Sequence, residues 1–117
     1  MLGRFVHFSE WKLAAGSLCL AALLGAEPIS AQTHAAAGDF ATLAAQADSA
    51  RDGEQLDRAV TLYRKALALR PGWKEGWWSL GTILYDRNSY SSAAHAFRKL
   101  VSEDPTNGTA HLMLALC

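Results

Sequence analysis

Four histidines, two cysteines and one pair of closely spaced aspartates are the residues of this 117-residue chain with catalytic chemistry to offer. His7, His34, His95 and His111 have no ligand-like neighbour at metal spacing. His95 falls on the outward side of its helical stripe, and His111 takes a slot reserved for a large residue. Both therefore read as packed or solvated side chains before they read as ligands. Asp48 and Asp52 lie four apart, a spacing that puts two carboxylates on one helix face and could serve as an acid and base pair. Arg51 and Arg58 stand beside them, which makes a solvated charged face the stronger reading. Gly72, Gly76 and Gly81 do not form a phosphate-binding loop and read as punctuation. Cys117 stands alone at the terminus, without a base to activate it. The expectation is a chain that is not an enzyme and has no cofactor and no metal.

The elements that carry these residues repeat every 34 positions. Ala59, Tyr63, Ala66 and Pro71 are followed at that offset by Ala93, Phe97, Leu100 and Pro105. Leu43, Trp77 and His111 share one register, as do Gln46, Leu80 and Leu114, and also Ala47, Gly81 and Ala115. A fixed period of this length marks a stack of small units, each unable to bury its apolar face alone. Within each unit the apolar residues have helical spacing. Trp77, Leu80, Gly81 and Leu84 sit at i, i+3, i+4 and i+7. Ala59, Leu62, Tyr63, Ala66 and Leu67 form a second stripe, and Ala93, Ala96, Phe97, Leu100 and Val101 a third. Asp52-Gly53 and Arg87-Asn88-Ser89 break the helices within units. Arg70-Pro71-Gly72 and the stretch 104–108 separate units, where proline and glycine end helices. Ser89 is the expected N-cap of the helix that follows it. No stretch alternates with period two, so no sheet is expected. Small residues at Ala59, Gly81 and Ala93 should let helix axes approach, with Trp77 and Phe97 filling the wider gaps.

Trp77-x-x-Leu80-Gly81-x-x-Leu84, followed by Ala93, Phe97 and Pro105, resembles the tetratricopeptide repeat (TPR) pattern of Trp, Leu-Gly, Tyr, Ala, Phe, Ala and Pro. It departs from that pattern at Leu84, where Tyr is usual, and at Leu100, where Ala is usual. By this resemblance 40–73 is a first, degenerate repeat, with Leu43, Gln46 and Ala50 replacing Trp, Leu and Tyr. Residues 74–107 are a complete second repeat, and 108–117 begin a third. The implied fold is all-α, a TPR-type superhelix of antiparallel helix pairs. The resemblance further implies that the first helix of each unit lines a concave wall that binds an extended peptide or a partner helix. That wall would hold Ala41, Ala44, Asp48 and Arg51, then Glu75, Trp78, Thr82 and Tyr85, then Thr109 and Leu112. Asp48, Arg51, Glu75, Trp78, Thr82 and Tyr85 are the expected partner-binding residues. With Trp77 in the core slot, Trp78 points elsewhere, either to the wall as an interface hot spot or against a neighbouring repeat or Trp73. One family mode grips a peptide carboxylate with cations. The matching slots here are Ala44, Asp48, Ser79, Thr109 and Met113, none of them cationic, so a protein partner with an apolar or basic segment is favoured.

The first thirty-odd residues differ in kind. Arg4 and Lys12 make a basic leader, 13–26 is an uninterrupted run of apolar or small residues, and Pro28 is followed by Ile29-Ser30-Ala31. This describes a secretory signal peptide over 1–31, cleaved after Ala31. The rival is an uncleaved membrane anchor, although the run is shorter than the roughly 18–20 residues that span a bilayer. A lipoprotein signal at Cys19 is disfavoured, because that residue sits inside the run. Residues 32–39 read as a flexible lead-in. The expected location is periplasmic or extracellular, or membrane-anchored if the leader is kept.

Eleven acidic and eleven basic residues leave no net charge to attract nucleic acid, and no membrane contact is expected beyond targeting. With Cys19 in the leader, the mature chain keeps only Cys117 and has no internal disulfide. The apolar helix at 111–117 stops without a polar cap, as in a C-terminal truncation; the alternative is a short protein that pairs through that end. Beside a membrane-anchored assembly factor that keeps 13–26 as its anchor, two functional classes stay open. One is an exported scaffold that holds a protein partner. The other is the repeat-bearing N-terminal part of a larger exported enzyme or secretion component.

Overall fold

A computed structural model describes residues 29–117. The basic leader and the apolar run at 13–26 lie outside the described residues. Five helices follow in order: α1 Ile29–Asp52, α2 Leu56–Leu69, α3 Lys74–Asp86, α4 Tyr90–Glu103 and α5 Gly108–Leu116. No strand occurs among the described residues. In the unit formed by Ala35–Cys117, α2 packs on α3, α3 on α4 and α4 on α5. This is the expected all-α arrangement of helices packed in adjacent pairs.

The flexible lead-in expected at 32–39 is instead helical and lies within α1. The alanine run at 35–37 has high helix propensity, and Thr42 Oγ1 donates to the Gly38 carbonyl at 3.0 Å. Residues 36–39 of α1 are exposed, and Phe40 is buried. Its ring meets Trp73 edge-on at 5.1 Å and lies under the Arg70 guanidinium at 3.9 Å.

The 34-residue period is written into the backbone as well as the side chains. Glu54 and Asn88 both adopt left-handed φ, at 58° and 59°. The next residues, Gln55 and Ser89, each donate a backbone bond five positions back, to Ala50 and Leu84, at 2.8 Å in both cases. This closes each helix in a Schellman-type turn. The left-handed residue of the first turn is thus Glu54, not the glycine beside it, because the bond from Gln55 sets the register. Between units, Arg70 and Asp104 end their helices with nearly equal dihedrals, φ −136° and −140°. Trp77 Nε1 donates to the Pro71 carbonyl at 2.7 Å. His111 Nε2 lies 2.9 Å from the Pro105 carbonyl. A carbonyl only accepts, so that bond needs the proton on Nε2. Histidine therefore does at 111 what tryptophan does at 77.

Ser89 occupies the N-cap position of α4 but makes no side-chain cap bond. The side-chain cap is Asn107, whose Oδ1 accepts from the Ala110 amide at 3.0 Å and starts α5.

Tyr63, Phe97 and Leu100 are the largest fully buried side chains. Tyr63 and Phe97 fill the same slot in successive units, with Ala59 and Ala93 fully buried one turn earlier. Gly81 has the expected packing role. A Cβ there would stand 2.8 Å from two atoms of the Phe97 ring, closer than carbon atoms approach. Gly76, read from sequence as punctuation, is a packing seat too: the Trp73 ring lies directly on its backbone, where a Cβ would overlap it.

The two adjacent tryptophans depart from expectation. Trp77 is only half-buried and turns toward His95, at 6.4 Å. The ring that meets Phe97 belongs to Trp78, edge-on at 5.8 Å. Phe97 lies over Gly81, and both tryptophans are one turn back from that glycine, at i−4 and i−3. Spacing alone could not say which of them the phenyl ring would reach.

Candidate functional site

The residues expected to form a wall lie on α1, α3 and α5, and among them on α3 is Ser79, a buried hydroxyl. On one side stand Asp48 and Arg51. Arg51 Nη1 donates to Ser79 Oγ at 3.2 Å and to the Tyr63 hydroxyl at 3.1 Å. The Tyr63 hydroxyl in turn donates to Asp48 Oδ1 at 2.5 Å. Arg51 also pairs with Asp52 at 3.0 Å and with Asp48 at 3.5 Å. One guanidinium thus ties α1, α2 and α3 together. The aspartates at 48 and 52 share this cation, which is the charged-face reading of that pair. Burial alone would lower the Arg51 pKa, but the Asp52 bond, Tyr63 and the two carboxylates outweigh it and hold the value above the ordinary one. Asp48 and Arg51 are therefore structural in part, although each side chain keeps close to half its surface exposed.

Burial, reinforced by the bond to Asp48, pushes the Tyr63 phenol up from 10.0 to about 12. The raised value belongs to the folded state. Its stabilising effect is whole below pH 10 and is lost as pH rises from 10 through about 12. Urea midpoints should fall across that window in the wild type. Tyr63→Phe, which removes the titrating hydroxyl, should flatten that part of the slope. An unchanged slope would mean the phenol titrates alike in both states.

On the other side of Ser79 lies a recess of about 290 Å³ lined by Glu75, Trp78, Ser79, Leu100, Asp104 and Asn107. Lys74 at its rim pairs with Asp104 at 3.8 Å. Glu75 is exposed and Trp78 half-buried. Thr82 and Tyr85 continue along the same face of α3, one and two turns beyond Trp78. Thr82 Oγ1 donates to the Ser79 carbonyl at 3.0 Å. Tyr85 turns to the start of α4 and packs edge-on against Tyr90 at 5.2 Å. On α5, Thr109 and Leu112 are exposed. Ser79 thus joins Arg51 to the Trp78 recess, whereas Tyr85 belongs to a separate aromatic pair. Sequence reasoning missed Asp104 and Asn107, which lie in the break between units and enter the recess through the turn geometry. The period holds the only clue to them, since Arg70 and Trp73 are their counterparts one unit earlier.

A family model described as tetratricopeptide repeat matches residues 44–108 and, a second time, 79–117. Together these matches span well over half of the chain. The chain belongs to the tetratricopeptide repeat family. No curated protein matches the chain. Tetratricopeptide repeats generally mediate protein–protein interaction and are typically non-catalytic. Around Ser79 stand a half-buried indole, a hydroxyl and a border of carboxylates.

Proposed function

We propose that this chain is an exported scaffold whose wall of α1, α3 and α5 holds a protein or peptide partner with a basic and apolar segment. The observation that carries this reading is the charge on either side of Ser79. Asp48 and Asp52 flank one cation, Arg51, and Glu75 and Asp104 flank one cation, Lys74. Each side keeps one carboxylate in excess, with Trp78 between them and Leu112 exposed on the next helix. A segment that places an apolar side chain on Trp78 and cations at the border matches that pattern. The roles of Asp48, Arg51, Glu75, Trp78, Thr82 and Tyr85 in binding are part of this proposal.

The test is titration with the synthetic peptide KKLFKK, followed by backbone and indole NMR shifts. Binding should move Trp78, Glu75 and Leu112. Shifts confined to other faces would remove the wall as the site. Export rests on the leader at 1–31 and is tested separately. Intact-mass analysis of the secreted product should show Gln32 as the first residue, and a product beginning at Met1 would favour the anchor instead.

A further inference from the structure

On the opposite side of α3, a groove of about 350 Å³ runs between α2 and α4. Its floor is Leu80 and Leu84, and its walls include Trp77, His95, Arg64 and Ser92. No carboxylate lines it, and Arg64 has no ion-pair partner among the described residues. The nearest acids on the same helices are already engaged or displaced. Asp57 pairs with Arg87 at 2.6 Å, and the Glu103 carboxylate lies over Gly72 at the far end.

The charge of these two helices follows the repeat. Arg64-Lys65 on α2 recurs 34 positions later as Arg98-Lys99 on α4, and all four are exposed. Lys99 is four residues beyond His95 and three beyond Ala96, so it extends the groove wall by one turn. Zero net charge therefore hides a segregation. Carboxylates are in excess along the α1 and α3 wall, and cations along α2 and α4. A groove with an apolar floor, an indole wall and, at its rim, a guanidinium without an ion-pair partner among the described residues selects one chemistry. It accepts a large apolar side chain flanked by carboxylates.

We propose that the α2–α4 groove is a second docking site, taking an acidic peptide segment that buries one apolar side chain against Trp77 and sets a carboxylate on Arg64. The site is independent of the wall and opposite to it in charge preference.

The test uses the full chain and three synthetic peptides, DELFDE, DESSDE and KKLFKK, with NMR shifts as the readout. DELFDE should bind with a Kd below about 1 mM and move the Trp77 indole together with the Arg64 and His95 amides. DESSDE, which lacks the apolar anchor, should bind at least about fivefold more weakly. Arg64→Glu, at an exposed position, should weaken DELFDE by about fivefold or more while leaving KKLFKK unaffected. Ala68→Trp, which plugs the groove from its exposed rim, should have the same effect, so the result does not hang on one variant. Trp78→Ala should leave DELFDE binding unchanged, which separates this site from the wall. Failure of DELFDE to bind overturns the proposal, as does equal binding of DESSDE, or shifts that fall on Trp78 and Leu112. A single-stranded oligonucleotide that displaces DELFDE from the groove would reassign it to nucleic acid. A concentration-dependent dimer abolished by Arg64→Glu would reassign it to a second copy of the chain.

Discussion

Phe97→Ala should remove about 3–5 kcal/mol of folding stability, the range for truncating a large aromatic in a packed core. The ring is fully buried. It lies on the bare backbone of Gly81 and supports the edge of Trp78. Alanine would leave a hole that Gly81 cannot close, because that position has no side chain to move into it. Folding free energies of single domains total only about 5–15 kcal/mol, so the variant should sit near its unfolding midpoint at room temperature. A urea melt with matched slopes measures the loss. A cost below about 1 kcal/mol would mean that α3 and α4 are not held by this contact. The loss should reach function too, since Trp78 would no longer have the phenyl ring behind it.

Trp78→Ala should weaken KKLFKK binding by about 30-fold, or about 2 kcal/mol, as for a central aromatic of an interface. Its stability cost should be smaller, about 1–2 kcal/mol. From the sequence alone Trp78 is either on the wall, where its loss would cost little, or packed against a neighbouring repeat or Trp73. The edge-on contact with Phe97 changes that, because such aromatic pairs contribute about 0.5–1.5 kcal/mol beyond burial. Trp77→Ala is the control. It removes the bond to the Pro71 carbonyl and opens the groove on the far side of α3, but its ring does not line the Trp78 recess. Binding should be compared at equal folded fraction, set by a denaturant melt of each variant. Equal loss of KKLFKK binding in the two variants would show that the effect is unfolding and that the wall is not the site.

The fold was legible because its signals are local and repeated. Ala59, Tyr63 and Ala66 predict their counterparts at 93, 97 and 100, and the same helical stripe appears in each unit. Small residues at Gly81 and Ala93 marked where helices approach. Legibility stopped where two residues compete for one direction or where a turn sets the geometry. Trp77 and Trp78 differ by a rotation of about 100°, and both lie one turn from Gly81. Only the placement of the Phe97 ring separates them. Glu54 takes a left-handed conformation that its residue type does not announce, beside a glycine that does not need it. Ser89 has the chemistry of a cap and makes no cap bond, while Asn107, in a break whose proline and glycine pointed only to a helix end, makes one.

The sequence by itself determined the repeat unit, its length, its helical pairs and the family, because period and residue size survive without coordinates. It also placed Asp48, Arg51, Glu75, Trp78, Thr82 and Tyr85 on the first helices of their units. Tertiary structure decided what those residues touch. Arg51 reaches Tyr63 on α2 and Ser79 on α3, contacts separated by 12 and 28 positions that no local pattern encodes. It also decided the sorting of charge. Eleven positive and eleven negative residues cancel along the chain, and only the packing of alternate helices onto opposite faces separates acidic excess from basic.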